Sequence, residues 1–323
     1  MGVLRTILHP ELYHGHHQEP PFFEGWYYKL VSADQTHTFA IIPGVFLGED
    51  GHAFIQVLEG NTGEVSFLNY PLDHFSAEKD ALLVRIGKSV FTLNHVQLDI
   101  QKEGTRIRAD LRFDDVDGWP ISLLSPGVMG WYAWVPKMEC YHGVLGFDHR
   151  IAGFLELNGI RFDLTDGRGY IEKDWGTAFP QGYVWMQSNH FDRPNVSLTG
   201  SIAMIPWLGS AFRGFIVGLW IEGELYRFAT YTGAKVDVLD INNREVVWVI
   251  RDQRLRLEIR AERRETGVLK GPTRRNMDMR VAESLQAQIH VKLLNSAGKV
   301  IFQDTGRHAG LEVAGDIETL LSA

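Results

Sequence analysis

The sequence predicts an all-β protein, and three observations carry that prediction. Apolar and polar residues alternate at period two along much of the 323-residue chain. Turn-forming pairs punctuate these runs at the spacing of antiparallel hairpins. Helix signals are few, so less than about one-sixth of the residues should be helical, well below the usual share. With 45% hydrophobic and 22% charged residues the chain is globular and long enough to bury a large core.

In chain order, Leu82, Val84 and Ile86 mark one strand, Val96, Leu98 and Ile100 a second, and Ile107, Ala109, Leu111 and Phe113 a third. Val236 and Val238 resume the pattern later. Glu49-Asp50-Gly51, Asn61-Thr62-Gly63, Asn158-Gly159, Asp166-Gly167 and Ile241-Asn242-Asn243 supply turns between such runs. Arg254, Arg256, Glu258 and Arg260 alternate with Leu255, Leu257, Ile259 and Ala261, the pattern of a strand with one wet face. Residues Ala282 to Leu294 fit a strand or a helix, and the β-rich surroundings favour the strand. Asp316 is placed to cap one short helix in the tail. An antiparallel barrel or sandwich follows.

The Arg-x-Arg pairs at Arg106/Arg108 and Arg254/Arg256 recur nearly half a chain apart, compatible with two similar barrels in tandem. No linker composition marks a boundary. The stretch Leu157 to Thr177 is the best candidate, giving expected domains of 1–165 and 166–323.

Composition also excludes functions. With 32 basic against 40 acidic residues and a formal charge of −8, nucleic acid is not the expected partner. Cys140 is the single cysteine, which rules out a disulfide framework within the chain and a cysteine-rich metal site and fits a reducing compartment. No apolar run approaches a membrane span, and residues Met1 to His17 lack the apolar core of a signal peptide. A cytoplasmic protein is expected, with peripheral contact to a membrane left open.

Aromatic residues gather in three clusters, each containing acids: Phe22 to Lys29, with Glu24; Trp131 to His142, with Glu139; and Tyr170 to Trp185, with Glu172 and Asp174. Most of these rings are expected to fill a barrel. If Tyr170 to Trp175 is extended, Tyr170, Glu172 and Asp174 share one face, opposite Ile171, Lys173 and Trp175. An acid kept protonated by desolvation among aromatic faces could protonate an alkene and hold the resulting cation. His142 is open between a structural hydrogen bond and proton transfer. His14, His16 and His17 lack partner ligands at metal spacing, Gly167 and Gly169 open no helix as a phosphate loop would, and no Gly-x-Ser-x-Gly elbow occurs.

These motifs carry a resemblance. Pro21-Phe22-Phe23-Glu24-Gly25-Trp26-Tyr27, Met138-Glu139-Cys140-Tyr141-His142-Gly143 and above all Gly167-Arg168-Gly169-Tyr170-Ile171-Glu172-Lys173-Asp174-Trp175-Gly176, with Phe179-Pro180 and Trp185, resemble the tocopherol cyclase family. The likeness extends to Leu311-Glu312-Val313. It implies two lipocalin-like β-barrels and a lipophilic substrate. It also implies redox-neutral closure of a prenylated quinol to a chromanol, with no metal or organic cofactor. On that resemblance Glu172 and Asp174 are the expected acid/base residues, with Glu24 and Glu139 in reserve. Trp26, Tyr27, Trp134, Tyr141, His142, Tyr170, Trp175 and Trp185 are the expected substrate contacts. A carrier of a hydrophobic quinone or isoprenoid lipid, and a prenyl-alkene hydratase or isomerase, are the alternatives.

Overall fold

The computed structural model describes residues 2–207, 209–264 and 267–322. After helix α1 (Gly2–Leu8), the first sheet is built from β1 (Phe22–Val31), β2 (Thr38–Leu47), β3 (His52–Glu59) and β4 (Val65–Pro71). It continues with β5 (Phe75–Ala77), β6 (Leu83–Ile86), β7 (Ser89–Thr92) and β8 (His95–Lys102). The long β9 (Thr105–Asp117) and β10 (Cys140–Leu157), the short β11 (Ile160–Asp163) and finally β12 (Gly167–Gly176) complete it.

The second sheet begins with β13 (Gly182–Ser188), β14 (Val196–Trp207), β15 (Ser210–Ile221) and β16 (Glu224–Ala229). β17 (Lys235–Ile241), β18 (Glu245–Arg251), β19 (Leu255–Glu262) and β20 (Gly267–Gly271) follow, then β21 (Met279–Asn295), β22 (Val300–Gly315) and helix α2 (Ile317–Ser322). The expected all-β fold is present. Asp316 caps α2 as anticipated, its carboxylate accepting the Thr319 N–H at 3.0 Å.

The two sheets share one strand order. The first runs β4-β3-β2-β1-β12-β10-β9-β8-β7-β6-β5 and the second β16-β15-β14-β13-β22-β21-β19-β18-β17, so each unit's last strand returns to pair with its first. The Arg-x-Arg echo falls on β9 and β19, which hold the same rank in the two orders. In the first unit β3 also approaches β6, so the sheet curls into a nearly closed barrel.

Burial explains which sequence patterns were visible. β8 and the first part of β9 bury every second residue, because one face meets water and the other the core. β1, β2 and β13 are buried on both faces and show no alternation. Trp26, Tyr28, Phe39, Phe91, Leu111 and Ile171 anchor the first core, and Val217, Phe228, Trp248, Ile259, Val291 and Leu311 the second. β10 crosses β9 so closely at Gly153, φ +124°, that a Cβ there would lie 1.9 Å from the Asp110 carbonyl oxygen.

The boundary expected at 165/166 needs correction. Residues 1–179 with 269–280 form one compact unit, and 180–268 with 281–323 the other. A cut at 165 would remove β12 from its place between β1 and β10. Among the described residues no helix is long and apolar enough to cross a membrane.

Candidate active site

β12 is the spine of the site. Tyr27 of β1 lies opposite Glu172, Gly25 opposite Asp174 and Lys29 opposite Tyr170, while His142 of β10 lies opposite Asp174. Directly opposed residues project to the same face of a sheet. One face therefore gathers Tyr27, Lys29, His142, Tyr170, Glu172 and Asp174. The other carries Glu24, Trp26, Tyr141, Lys173 and Trp175, and belongs to the barrel interior, since Trp26 and Ile171 sit in the first core with Trp175 packed against it.

On the first face four polar side chains form a chain. Tyr170 Oη donates to Glu172 Oε2 at 2.5 Å. Glu172 Oε2 lies 3.6 Å from His142 Nε2, and His142 Nδ1 donates to Asp174 Oδ1 at 2.8 Å. Tyr170 is fully buried and Glu172 nearly so, while 27% of the Asp174 side chain remains open. Burial works against a charged His142 ring, but Asp174 and Glu172 outweigh it and raise the imidazole pKa to about 9. At neutral pH the site thus holds an imidazolium between two carboxyl groups.

His142, Glu172 and Asp174 offer ligand atoms within 4.8 Å of one another, a set that could hold a divalent ion. Ligation would first require the imidazole to lose its proton, which the two neighbouring carboxyl groups oppose.

On the interior face the groups serve a different purpose. Lys173 and Glu24, both without solvent exposure, meet at 2.6 Å. Glu24 Oε2 accepts the His14 N–H at 2.8 Å, and Lys173 Nζ donates to Leu12 O and lies 3.0 Å from His14 Nδ1. Burial raises the Glu24 carboxyl, but Lys173 and His14 outweigh it and hold its pKa below the usual value. The Lys173 ammonium lies 5.2 Å from the Trp26 ring centre and 4.9 Å from that of Trp175. Trp175 is stacked between His14, at 4.1 Å, and Tyr141, at 5.5 Å.

The residues expected from sequence therefore divide. Glu172, Asp174, His142, Tyr170 and Tyr27 are brought together. Glu24, expected as a reserve acid, is not with them: it is paired with Lys173 on the opposite face of the sheet. Trp26 and Trp175 flank that ammonium on the interior face, away from the acids. Glu139 is held by Arg274 at 2.9 Å. Trp134 lies half-exposed in the β9–β10 connection, its Nε1 donating to Leu123 O at 3.1 Å. Tyr141 Oη donates to Val135 O at 2.7 Å, on the interior side. Trp185 lies on β13 in the second unit, opposite Glu312.

Sequence reasoning gave Lys29 no role, although it stands in the first motif and is fully buried on the acid face. Its signal was alternation: Lys29 is two residues from Tyr27, as Tyr170 is from Glu172. The pairing of Lys173 with Glu24 left no local signal, since it depends on the register of β1 against β12.

Fold and site together define an all-β protein of two antiparallel barrel-type units with a buried acid–base chain on the first. The chain belongs to the tocopherol cyclase-like family, whose profile matches residues 88–315. It is 31% identical over 124 residues to "Probable tocopherol cyclase, chloroplastic" of Oryza sativa subsp. japonica, a match covering 36% of this chain and 26% of that protein. The chain thus spans about a quarter of the length of the curated relatives it matches. In fold it resembles CghA, with a TM-score of 0.57 at 10% identity over 93% of this chain and 90% of that one. Kievitone hydratase from Nectria haematococca gives 0.54 at 12% identity over 94% and 93%.

Proposed function

We propose that the protein protonates an isoprenoid double bond and lets a hydroxyl of the same molecule close on the resulting tertiary cation, converting a prenylated quinol to its chromanol isomer. The observation that supports this reading is the buried chain Tyr170–Glu172–His142–Asp174, with a proton-rich imidazole at its centre. Asp174, the more open of the two carboxyl groups, passes the His142 Nδ1 proton to the alkene. Asp174 then takes the proton released by the phenol and returns it to the vacated Nδ1 before the next turnover, while Glu172 faces the protonated Nε2 edge of the ring. A C–H and a C–O bond form, an O–H bond and the alkene π bond are lost, and no electrons are exchanged. Tyr27, opposite Glu172 on the same face, would supply the aromatic ring that stabilises the cation.

Family membership supports a lipophilic substrate and this reaction class. Water in place of the phenol would give hydration, the activity in the name of the fold neighbour kievitone hydratase. Mass spectrometry of purified protein incubated with a prenylated quinol separates the outcomes. A product of unchanged mass and altered retention supports cyclisation. A gain of one water indicates hydration, and tight binding without product makes the protein a carrier.

A further inference from the structure

The connection between β9 and β10, residues 118–139, joins an anchored base to an apolar tip. At the base Trp119 is buried and stacked on Phe147 at 5.5 Å, and Val128 and Met129 are buried as well. At the tip Ser122 and Ser125 exchange backbone hydrogen bonds, N–H to O at 3.1 Å in each direction. That clamp closes a tight turn whose two central residues are Leu123 and Leu124, 65% and 88% exposed. Such positions ordinarily go to Gly, Asn, Asp or Pro. Ile121 and Trp131 are also exposed beside it, at 44% and 46%. The Trp134 indole N–H donates to Leu123 O and braces the turn from behind. Exposed apolar residues on a turn closed by backbone hydrogen bonds mark an interaction surface.

Charge indicates which partner covers it. From Gly118 to Met138 the only charged residue is Lys137, in a chain of net charge −8. The hairpin 272–280 reaches the end of this connection through the Arg274–Glu139 pair and carries exposed Arg275 and Arg280 against a single exposed acid, Asp278. Tryptophan, leucine and isoleucine with lysine as the one charge of the segment, next to a hairpin bearing exposed arginines, are the composition of a segment that enters the headgroup region of an anionic bilayer. The same end of the connection leads into β10, where Tyr141, whose Oη ties back to Val135 O, directly precedes His142, the strand partner of Asp174.

We propose that Leu123, Leu124, Ile121 and Trp131 form a wedge that docks the protein on an anionic lipid bilayer. Docking is separate from the chemistry proposed above, and it is read with no substrate present, so its failure leaves that chemistry standing. The test is flotation of the full chain with vesicles of phosphatidylcholine alone and with about three parts in ten of phosphatidylglycerol. The wild-type protein should float with the anionic vesicles. Leu123→Ser combined with Leu124→Ser should keep the circular dichroism spectrum and melting temperature while lowering the vesicle partition coefficient about tenfold or more. Lys137→Glu should weaken flotation with anionic vesicles only. Absence of wild-type flotation, or equal flotation of the double serine variant, overturns the proposal. So does a dimer in sedimentation that the double variant abolishes without vesicle binding, which would assign the wedge to a second copy of the chain.

Discussion

The Lys173 ammonium and the Glu24 carboxylate meet at 2.6 Å with neither side chain reaching water. Such a pair is expensive to break from one side, because the remaining charge is left buried and uncompensated, at about 3–5 kcal/mol. Lys173→Met should therefore lower the melting temperature sharply and loosen the segment Leu12–His14 that the pair holds. Adding Glu24→Leu should recover much of the loss. Chemical denaturation of the two single variants and the double variant measures the coupling, and additive losses would contradict it.

Glu172→Gln and Asp174→Asn should slow product formation by about 10²–10⁴-fold, as removal of a positioned acid or base does. Affinity for a long isoprenoid should change little, since it comes mainly from apolar burial. Trp175→Ala should act in the opposite order, on stability first, because its ring is stacked between His14 and Tyr141 on the interior face. Binding and turnover of one prenylated quinol, measured for all three variants, checks the split. Wild-type turnover in both carboxamide variants would move the acid elsewhere.

His142 sets an alkaline limit. Its pKa is about 9 in the folded protein, above the ordinary 6.5. Its contribution to stability is thus fully present below pH 6.5 and is lost as the pH rises through about 9. The interval corresponds to about 3 kcal/mol. Unfolding free energies measured from pH 6 to 10 should fall across that window in the wild type and stay flatter in His142→Gln. Turnover should decline over the same range as the ring gives up its proton.

Acid sensitivity should come in part from His149. The ring is buried, 4.5 Å from Phe113, and neither ring nitrogen has a hydrogen-bond partner among the described residues. Burial, reinforced by Arg168, lowers its pKa to about 3. The folded ring stays neutral while the unfolded one takes a proton, so this contribution is present above pH 6.5 and shrinks as the pH falls toward 3. His149→Phe should flatten the stability curve between pH 6.5 and 5. Gly169→Ala should destabilise at every pH, because its Cβ would fall 2.2 Å from His149 Nε2 and 2.8 Å from Lys29 O. Thermal melts across pH check both.

What could be read in the sequence follows the exposure of each strand. β8 and β9 alternate because one face meets water, and α2 announces itself through Asp316. β12 is different: both faces are largely buried, and its position is fixed by β1, far away along the chain. No local pattern records that pairing, so the expected boundary fell just before it. The same holds within the site. Period two placed Tyr170, Glu172 and Asp174 on one face correctly, whereas the central position of His142 depends on the register of β10 against β12. Lys173 stands between the two acids in sequence, and period two puts it on the opposite face, but that its partner there is Glu24 depends on the register of β1 against β12.

The return of each final strand to the first has a consequence for the order of folding. β1 emerges during synthesis with only β2 to pair with on one edge; its other edge stays open until Gly167–Gly176 has been made. β13 likewise waits for Val300–Gly315. Each sheet must join its first strand to its last across most of its length in sequence, a topology that folds slowly and leaves an unpaired, apolar strand edge exposed in the nascent chain.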